Sequence, residues 1–344
     1  MANMTIKDIA RICDVSISTV SRAMNNDPGV NEHTKERIMQ VVREFNFIPN
    51  NSARNLKMAE SNTIALLIKG INNPFFHGMY PYFQRGLEKE GYQFLLHAVT
   101  EDQDEAHVAE EIAKEKRLKG IIFLGGKIEQ PAELQERIRI PIVLCSVAAR
   151  PEMAPERQCM TVGIDDVRES FKVVDYLCKK GHRRIAIISG KRSDYTVGRL
   201  RLEGYRQALQ ANGIEFDPAL TGYMKEELPE YSEANGYAVT RELLESGADF
   251  TAVFAISDRT AMGVYKAIYD AGKRIPEDYS VIGFDGIEMT KYMYPALTTV
   301  IQPVEQMVQS CIDLLMKQLR GKTVPEQLIY EAALCERESV REIP

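Results

Sequence analysis

The chain has no tryptophan and only five histidines in 344 residues. No indole can stack on a ligand, and His33, His77, His97, His107 and His182 show no metal-ligand spacing. The six cysteines, Cys13, Cys145, Cys159, Cys178, Cys311 and Cys335, are scattered without a CxxC pair. Free thiols, mostly buried, in a reducing compartment are expected, not a disulfide frame or a zinc site. No apolar run approaches the roughly 18 residues of a membrane span. Met1–Thr5 carries neither a basic nor an apolar leader segment, so a cytoplasmic protein without a secretory signal is expected. The patterns GxxxxGK[ST], HExxH and GxSxG are missing, and Gly125-Gly126 alone is no dinucleotide fingerprint. No enzyme chemistry, metal or cofactor is expected. A basic surplus is missing too: the net charge is −6, with eight Lys/Arg against seven Asp/Glu in residues 1–60. If the chain binds DNA, it relies on groove contacts and on pairing of subunits more than on diffuse charge.

What is present begins at Thr5. The run Thr5-Ile-Lys-Asp-Ile-Ala-Arg-Ile-Cys-Asp-Val-Ser-Ile-Ser-Thr-Val-Ser-Arg22 fits helix, tight turn, helix. Thr5 can cap the first helix with Asp8 as a short-armed capping box. Ile6, Ile9, Ala10 and either Ile12 or Cys13 fall on one face. Asp14 takes the turn, where glycine or asparagine would adopt positive φ more readily. Ser16 can cap the second helix. Val15, Val20 and Ala23 bury one side of it, and the other shows Ile17, Ser18, Ser21 and Arg22, a face that a major groove admits. Asn31 can cap a third helix, whose Ile38, Val41, Val42 and Phe45 would close the core. After Pro49, Asn50 or Asn51 can cap a helix of about two turns, too short to persist in water without a partner.

From Asn62 the pattern changes. Apolar runs at Ile64–Ile68, Gln93–Val99, Gly120–Leu124 and Ile140–Leu144 alternate with helical stretches at Pro81–Glu90, Asp104–Leu118 and Ala132–Ile138. A second series sets strands at Arg184–Ser189, Ala252–Ile256 and Ser280–Ile282 among helices near Val167–Lys180, Arg201–Asn212, Ser232–Ser246 and Asp258–Ala271. Strands apolar on both faces and separated by helices indicate parallel sheets covered on both sides. The expected fold class is an all-α helix-turn-helix headpiece followed by an α/β core of two doubly wound parallel-sheet subdomains. Ligands in such sheets sit at the carboxyl ends of the strands. Asp285 in Val281-Ile-Gly-Phe-Asp-Gly286 directly follows an apolar strand and can accept hydrogen bonds from ligand hydroxyls. The pair Asp165-Asp166 reads as a turn and helix cap.

The motif Thr5-x-x-Asp-Ile-Ala, Val-Ser-x-Ser-Thr-Val-Ser-Arg22, Phe-x-Pro-Asn50 and Ala53-Arg-x-Leu56 resembles the headpiece and hinge of the lactose/galactose-repressor (LacI/GalR) family, and the resemblance continues along the chain. It implies a core like a type I periplasmic sugar-binding protein, with two lobes joined by three crossovers. The implied domains are a headpiece at 1–48, a hinge at 49–61 and a core at 62–344. The N-lobe would hold about 62–161 and 293–325, and the C-lobe about 162–292 and 326–344. The implied DNA-contacting set is Thr5, Ser16, Ile17, Ser18, Thr19, Ser21, Arg22 and Asn25 in the headpiece and Asn50, Ala53 and Leu56 in the hinge. Leu56 would wedge a base step of the minor groove open. Arg22 would pair with guanine.

The resemblance also implies effector contacts. In Asn73-Pro-Phe-Phe76, one of Phe75 and Phe76 would cover a ring face and Asn73 would make a polar contact. Arg201 would reach the effector, although Arg199 could exchange with it. Tyr231 takes the place of a stacking aromatic, and Gln302 would face the cleft from the crossover Leu297–Pro303. Two departures stand out. Ser257 precedes Asp258 where the family commonly has asparagine, and Cys145-Ser146 replaces a frequent strand-end aspartate. Fewer bidentate groups make a smaller, modified or non-sugar effector more credible. The expected protein is a homodimeric repressor of carbohydrate-utilisation genes on a near-palindromic operator, governed by a small effector that is a sugar or sugar derivative. The alternatives are a global catabolite regulator with a phosphoprotein corepressor and a regulator answering a non-sugar ligand such as a nucleobase.

Overall fold

The computed structural model describes residues 5–24, 27, 29–45, 61–100, 102–126, 134, 136–146, 160–194, 196–322 and 327–344. The chain falls into two compact units, Met1–Ser61 and Asn62–Pro344.

The first unit contains helices α1 (Ile6–Ile12), α2 (Ile17–Met24) and α3 (Glu32–Glu44). Thr5 and Asp8 form the reciprocal capping box: the Thr5 amide donates to Asp8 Oδ2 at 3.0 Å, and the Asp8 amide donates to Thr5 Oγ1 at 3.4 Å. Asp14 turns the chain between α1 and α2 at φ +45°. The core is small: Ile9, Ala10, Cys13, Val20, Ala23, Val30 and Ile38. Cys13, not Ile12, fills the last inward position, and the Arg37 guanidinium donates to its carbonyl at 2.7 Å. Phe45 does not close this core as the sequence suggested. It follows the last turn of α3 and is 46% exposed. Asn25, Asn50, Ala53 and Leu56 lie outside the described residues, as does the expected hinge helix.

The second unit opens with β1 (Thr63–Lys69), α4 (Pro74–Lys89), β2 (Gln93–Val99), α5 (Glu105–Lys116), β3 (Gly120–Leu124), β4 (Ile142–Cys145) and β5 (Met160–Ile164). It continues with α6 (Asp166–Lys179), β6 (Ile185–Ser189), α7 (Val197–Ala211), β7 (Thr221–Tyr223), α8 (Glu233–Glu245), β8 (Ala252–Ala255), α9 (Asp258–Asp270) and β9 (Ser280–Ile282). It ends with β10 (Thr299–Ile301), α10 (Val304–Leu319), β11 (Gln327–Tyr330) and β12 (Ala333–Cys335).

Two parallel sheets result. The first has the order β11-β5-β4-β3-β1-β2 and the second β7-β6-β8-β9. An antiparallel pair, β10 with β12, is joined to the end of β9 by bridges from Ile282 to Thr298 and from Asp285 to Ile301. Every residue of β3, β4, β6, β8 and β9 is buried, as strands covered by helices on both faces require. Helices approach closely where side chains are smallest. A Cβ on Gly263 of α9 would lie 2.0 Å from the Glu233 carbonyl at the start of α8, so only glycine fits there.

Three expectations need correction. Helix α4 begins at Pro74, not Pro81, because Asn73 caps it and Pro74 supplies a first-turn residue with no amide to satisfy. Pro81 then sits inside the helix, held there by the buried face of Phe75, Phe76, Met79, Phe83 and Leu87. Helix α7 likewise begins at Val197, one turn before Arg201. Finally, β5 and β11 pair with each other at the edge of the first sheet. Lobe boundaries at 161/162 and 325/326 therefore fall on or next to strands of that sheet, and residues 327–330 belong to the first lobe. The expected helix at 132–138 lies mostly outside the described residues.

Candidate functional site

Helix α2 buries Val20 and Ala23 and turns Ile17, Ser18 and Arg22 outward. Ile17 is 44% exposed. The Ser16 hydroxyl accepts from the Thr19 amide at 3.1 Å and lies 2.7 and 2.8 Å from the Ser18 and Thr19 hydroxyls. The first turn is thereby fixed, with Thr19 and Ser21 half-buried beside it. Arg22 extends into solvent, its Nε 3.9 Å from Asp27 Oδ2, an exposed pairing too weak to hold it against a stronger acceptor. A narrow, preorganised helix with one cationic fork and one bare apolar side chain suits base edges in a major groove.

In the second unit, each sheet reverses its winding at one point, between β1 and β3 in the first and between β6 and β8 in the second. Loops diverge there and leave a crevice at the strand ends. On the second lobe this crevice holds a buried charge cluster. Arg201 Nε donates to Asp166 Oδ1 at 2.9 Å, and Nη1 donates to Asp285 Oδ1 at 3.2 Å and to the Ile256 carbonyl. The guanidinium lies 3.8 Å from the centroid of the Phe284 ring. Gln302 Nε2 also donates to Asp285 Oδ1, at 3.0 Å. Arg201 Nη2, Asp285 Oδ2 and Gln302 Oε1 have no hydrogen bond to the described residues. These three atoms keep unused hydrogen-bonding capacity inside a buried cluster.

Burial pushes the Asp285 carboxyl up to about 6, against the opposing pull of Arg201 and Gln302. Burial also raises Asp166, with Arg201 opposing. Burial would lower Arg201, but the charges of Asp166 and Asp285 outweigh it and hold the guanidinium above its ordinary value. An uncharged ligand that donates to Asp285 and accepts from Arg201 matches this arrangement.

The other candidates fall in three places. Ser257 caps α9, its hydroxyl accepting from the Thr260 amide at 3.1 Å. Tyr231 stands at φ +52°; its hydroxyl donates to Asp194 Oδ2 at 2.9 Å and accepts from the Gly198 amide at 3.2 Å, at the start of the helix that carries Arg201. Asn73, Phe75 and Phe76 lie on the first lobe at the end of β1. Asn73 Oδ1 accepts from the Phe75 amide at 3.0 Å. Phe75 and Phe76 are only 5% and 9% exposed, with rings 5.4 Å apart. Gly125 makes room for Phe76: a Cβ there would lie 2.6 Å from Phe76 Cζ, and the residue sits at φ +68°. The structure thus gathers Arg201, Asp285 and Gln302 and joins Asn73, Phe75 and Phe76 to them by no hydrogen bond among the described residues.

Two residues escaped the sequence reading. Asp165 is the cap of α6, while Asp166 beside it reaches Arg201. Asp258, at the first position of α9, is fully buried beneath the Asp285 turn. Both follow a capping residue at a strand end. The signal was an acidic residue just inside a helix whose charge the helix dipole alone did not require.

Family models match at both ends: bacterial regulatory proteins of the lacI family over residues 5–50 and a periplasmic binding protein-like domain over 174–340. The chain is 36% identical to the HTH-type transcriptional regulator MalR of Clostridium butyricum, over 98% of this chain and 99% of that one. It is 33% identical to the ribose operon repressor of Escherichia coli, over 94% and 95%. It superposes on the cellobiose complex of the transcriptional regulator CelR with a TM-score of 0.71 and 30% identity, covering 98% of this chain and 99% of the other. An exposed reading helix, two lobes with a polar crevice and full-length relatives agree: the chain belongs to the LacI family of DNA-binding transcriptional regulators.

Proposed function

We propose that this protein is a homodimeric, non-enzymatic repressor of carbohydrate-utilisation genes, acting in the cytoplasm, whose operator affinity is set by a sugar or sugar derivative held between the lobes of its core. The observation that carries the effector reading is the convergence of Arg201, Asp285 and Gln302 at the strand ends, where one donor and two acceptors keep hydrogen-bonding capacity that the described residues do not use. A vicinal diol fits this set, since each hydroxyl both donates and accepts. Asn73, Phe75, Phe76, Tyr231 and Ser257 complete the wall. Two relatives support the class of guest: one carries ribose in its name and one was solved with cellobiose. On the DNA side, α2 of each subunit enters one of two successive major grooves of a near-palindromic operator. Arg22 pairs with guanine, Ile17 meets a thymine methyl, and the hinge at 49–61 adds contacts through Asn50, Ala53 and Leu56. Exposed Met289, Tyr292 and Tyr294 on the second lobe offer an apolar face for the partner subunit.

The test is a thermal-shift screen with cellobiose, D-ribose and their phosphates, then operator binding with and without each hit. A sugar that both raises the melting temperature and changes operator affinity is expected. Stabilisation by nucleobases alone overturns the sugar reading. On the DNA side, Arg22→Ala should weaken operator binding by about 1–3 kcal/mol and relax one base position. Unchanged base preference refutes the role given to α2.

A further inference from the structure

The Asp285 turn should not stand by itself. Asp285 adopts φ +117°, a conformation L-residues rarely take. What holds it is Asp258, which is fully buried. Asp258 Oδ2 accepts from the Gly286 amide at 2.7 Å and the Ile287 amide at 2.8 Å, the two donors directly after Asp285. Its other oxygen accepts from the Thr299 hydroxyl on β10. Its own amide donates to the Phe284 carbonyl at 2.7 Å, just before Asp285. One residue therefore grips the turn on both sides and ties it to the segment that carries Gln302. Beyond the turn, Ile287 joins the apolar cluster of the first lobe, which includes Met307 and Val308 of α10, and Met262 of α9 packs against the same cluster.

We propose that Asp258 is the positioning residue of the effector cleft: it touches no ligand, fixes Asp285 in its strained turn, ties that turn to β10 through Thr299, and links it through Ile287 to the first lobe. Burial pushes this carboxyl up to about 8; in its ionised form it accepts all three hydrogen bonds at once, whereas an asparagine has one acceptor oxygen and its NH2 would force the Thr299 hydroxyl to turn from donor to acceptor. The inference rests on the effector reading above only for the meaning of Asp285; the clamp itself is a property of the free protein.

The test uses the full-length chain as Asp258→Asn, Thr299→Val and Thr299→Ser, compared with wild type. Amide hydrogen exchange is followed across residues 280–303 and the rest of the core, and affinity for cellobiose and D-ribose is measured by calorimetry. In Asp258→Asn, exchange at Gly286 and Ile287 should rise by about tenfold or more while the strands of the second sheet keep their protection. Affinity for whichever sugar wild type binds should fall by about tenfold. Thr299→Val should show a smaller change of the same kind, and Thr299→Ser, which keeps the hydroxyl, should restore wild-type behaviour. Unchanged exchange at Gly286 and Ile287 overturns the proposal, as does loosening spread evenly over the second lobe, which marks a merely structural residue. If Asp258→Asn does not fold, the two Thr299 variants decide: equal behaviour of valine and serine overturns the clamp. If wild type binds neither sugar, the cleft reading fails while the exchange data still judge Asp258.

Discussion

The two lobes share one architecture and meet their strand ends in opposite ways. At its winding switch the first lobe places Asn73, Phe75 and Phe76, whose polar atom caps a helix and whose rings are already packed. The second lobe sets two buried carboxyls, Asp166 and Asp285, against the guanidinium of Arg201, with a third, Asp258, buried behind the Asp285 turn. One wall is finished; the other is a charge cluster with free hydrogen-bonding atoms. Under the proposed effector reading, the difference assigns polar recognition to the second lobe and an apolar wall to the first.

That asymmetry can be broken most forcefully at Arg201. Arg201→Met strands buried carboxylates without their cation and should destabilise the core by about 3–5 kcal/mol, read as a fall in the denaturation midpoint. A loss well below 1 kcal/mol would mean the cluster is already neutralised by protons. The next effect concerns pH. Asp285 is held near 6, above its ordinary 3.8, so the folded chain binds this proton more tightly than the unfolded one. Its contribution to stability should therefore decline as pH rises from about 4 to about 6 and be flat above. Effector binding runs the other way, because ligand hydroxyls need the carboxylate. Affinity should weaken by up to about tenfold per pH unit below 6, and Asp285→Asn should abolish that slope. A slope that survives in Asp285→Asn assigns the proton elsewhere.

The first lobe sharpens the contrast with smaller effects. Asn73→Ala removes a helix cap and should cost about 1 kcal/mol, whereas Asn73→Asp, an equally good cap, should restore stability. If Asn73 also contacts the effector, the aspartate variant will still bind sugar more weakly; full recovery of affinity confines Asn73 to capping. Phe75→Leu should cost less than about 1.5 kcal/mol and leave the pH dependence of binding untouched.

Much of this was legible in the sequence, and the failures have a common cause. Local rules found the capping box of Thr5 and Asp8, the turn at Asp14, the Ser16 cap and the apolar runs of β1, β3, β6 and β8. The strand-end position of Asp285 was also visible. Local rules could not find Asp166, because its partner lies 35 residues away on another helix. Nor could they find Asp258, whose partners are the amides of Gly286 and Ile287 and the Thr299 hydroxyl. Short strands such as β7 and β10, three residues each, carry too little periodicity to announce themselves. Pro81 misled in the other direction: it reads as a helix start, yet long-range packing of α4 carries the helix past it.

The pairing of β11 with β5 bears on how the molecule is made. The first sheet lacks its edge until residues 327–330 arrive. The second lobe waits longer still, since the Val281 amide donates to the Ser339 carbonyl and the Ile343 amide to the Lys180 carbonyl. Among the described residues, the core of the three headpiece helices is drawn from residues 6–42. On a ribosome the helices of the headpiece thus emerge while most of the α/β core is still being synthesised, so a nascent chain carries α2 before it has a finished second lobe.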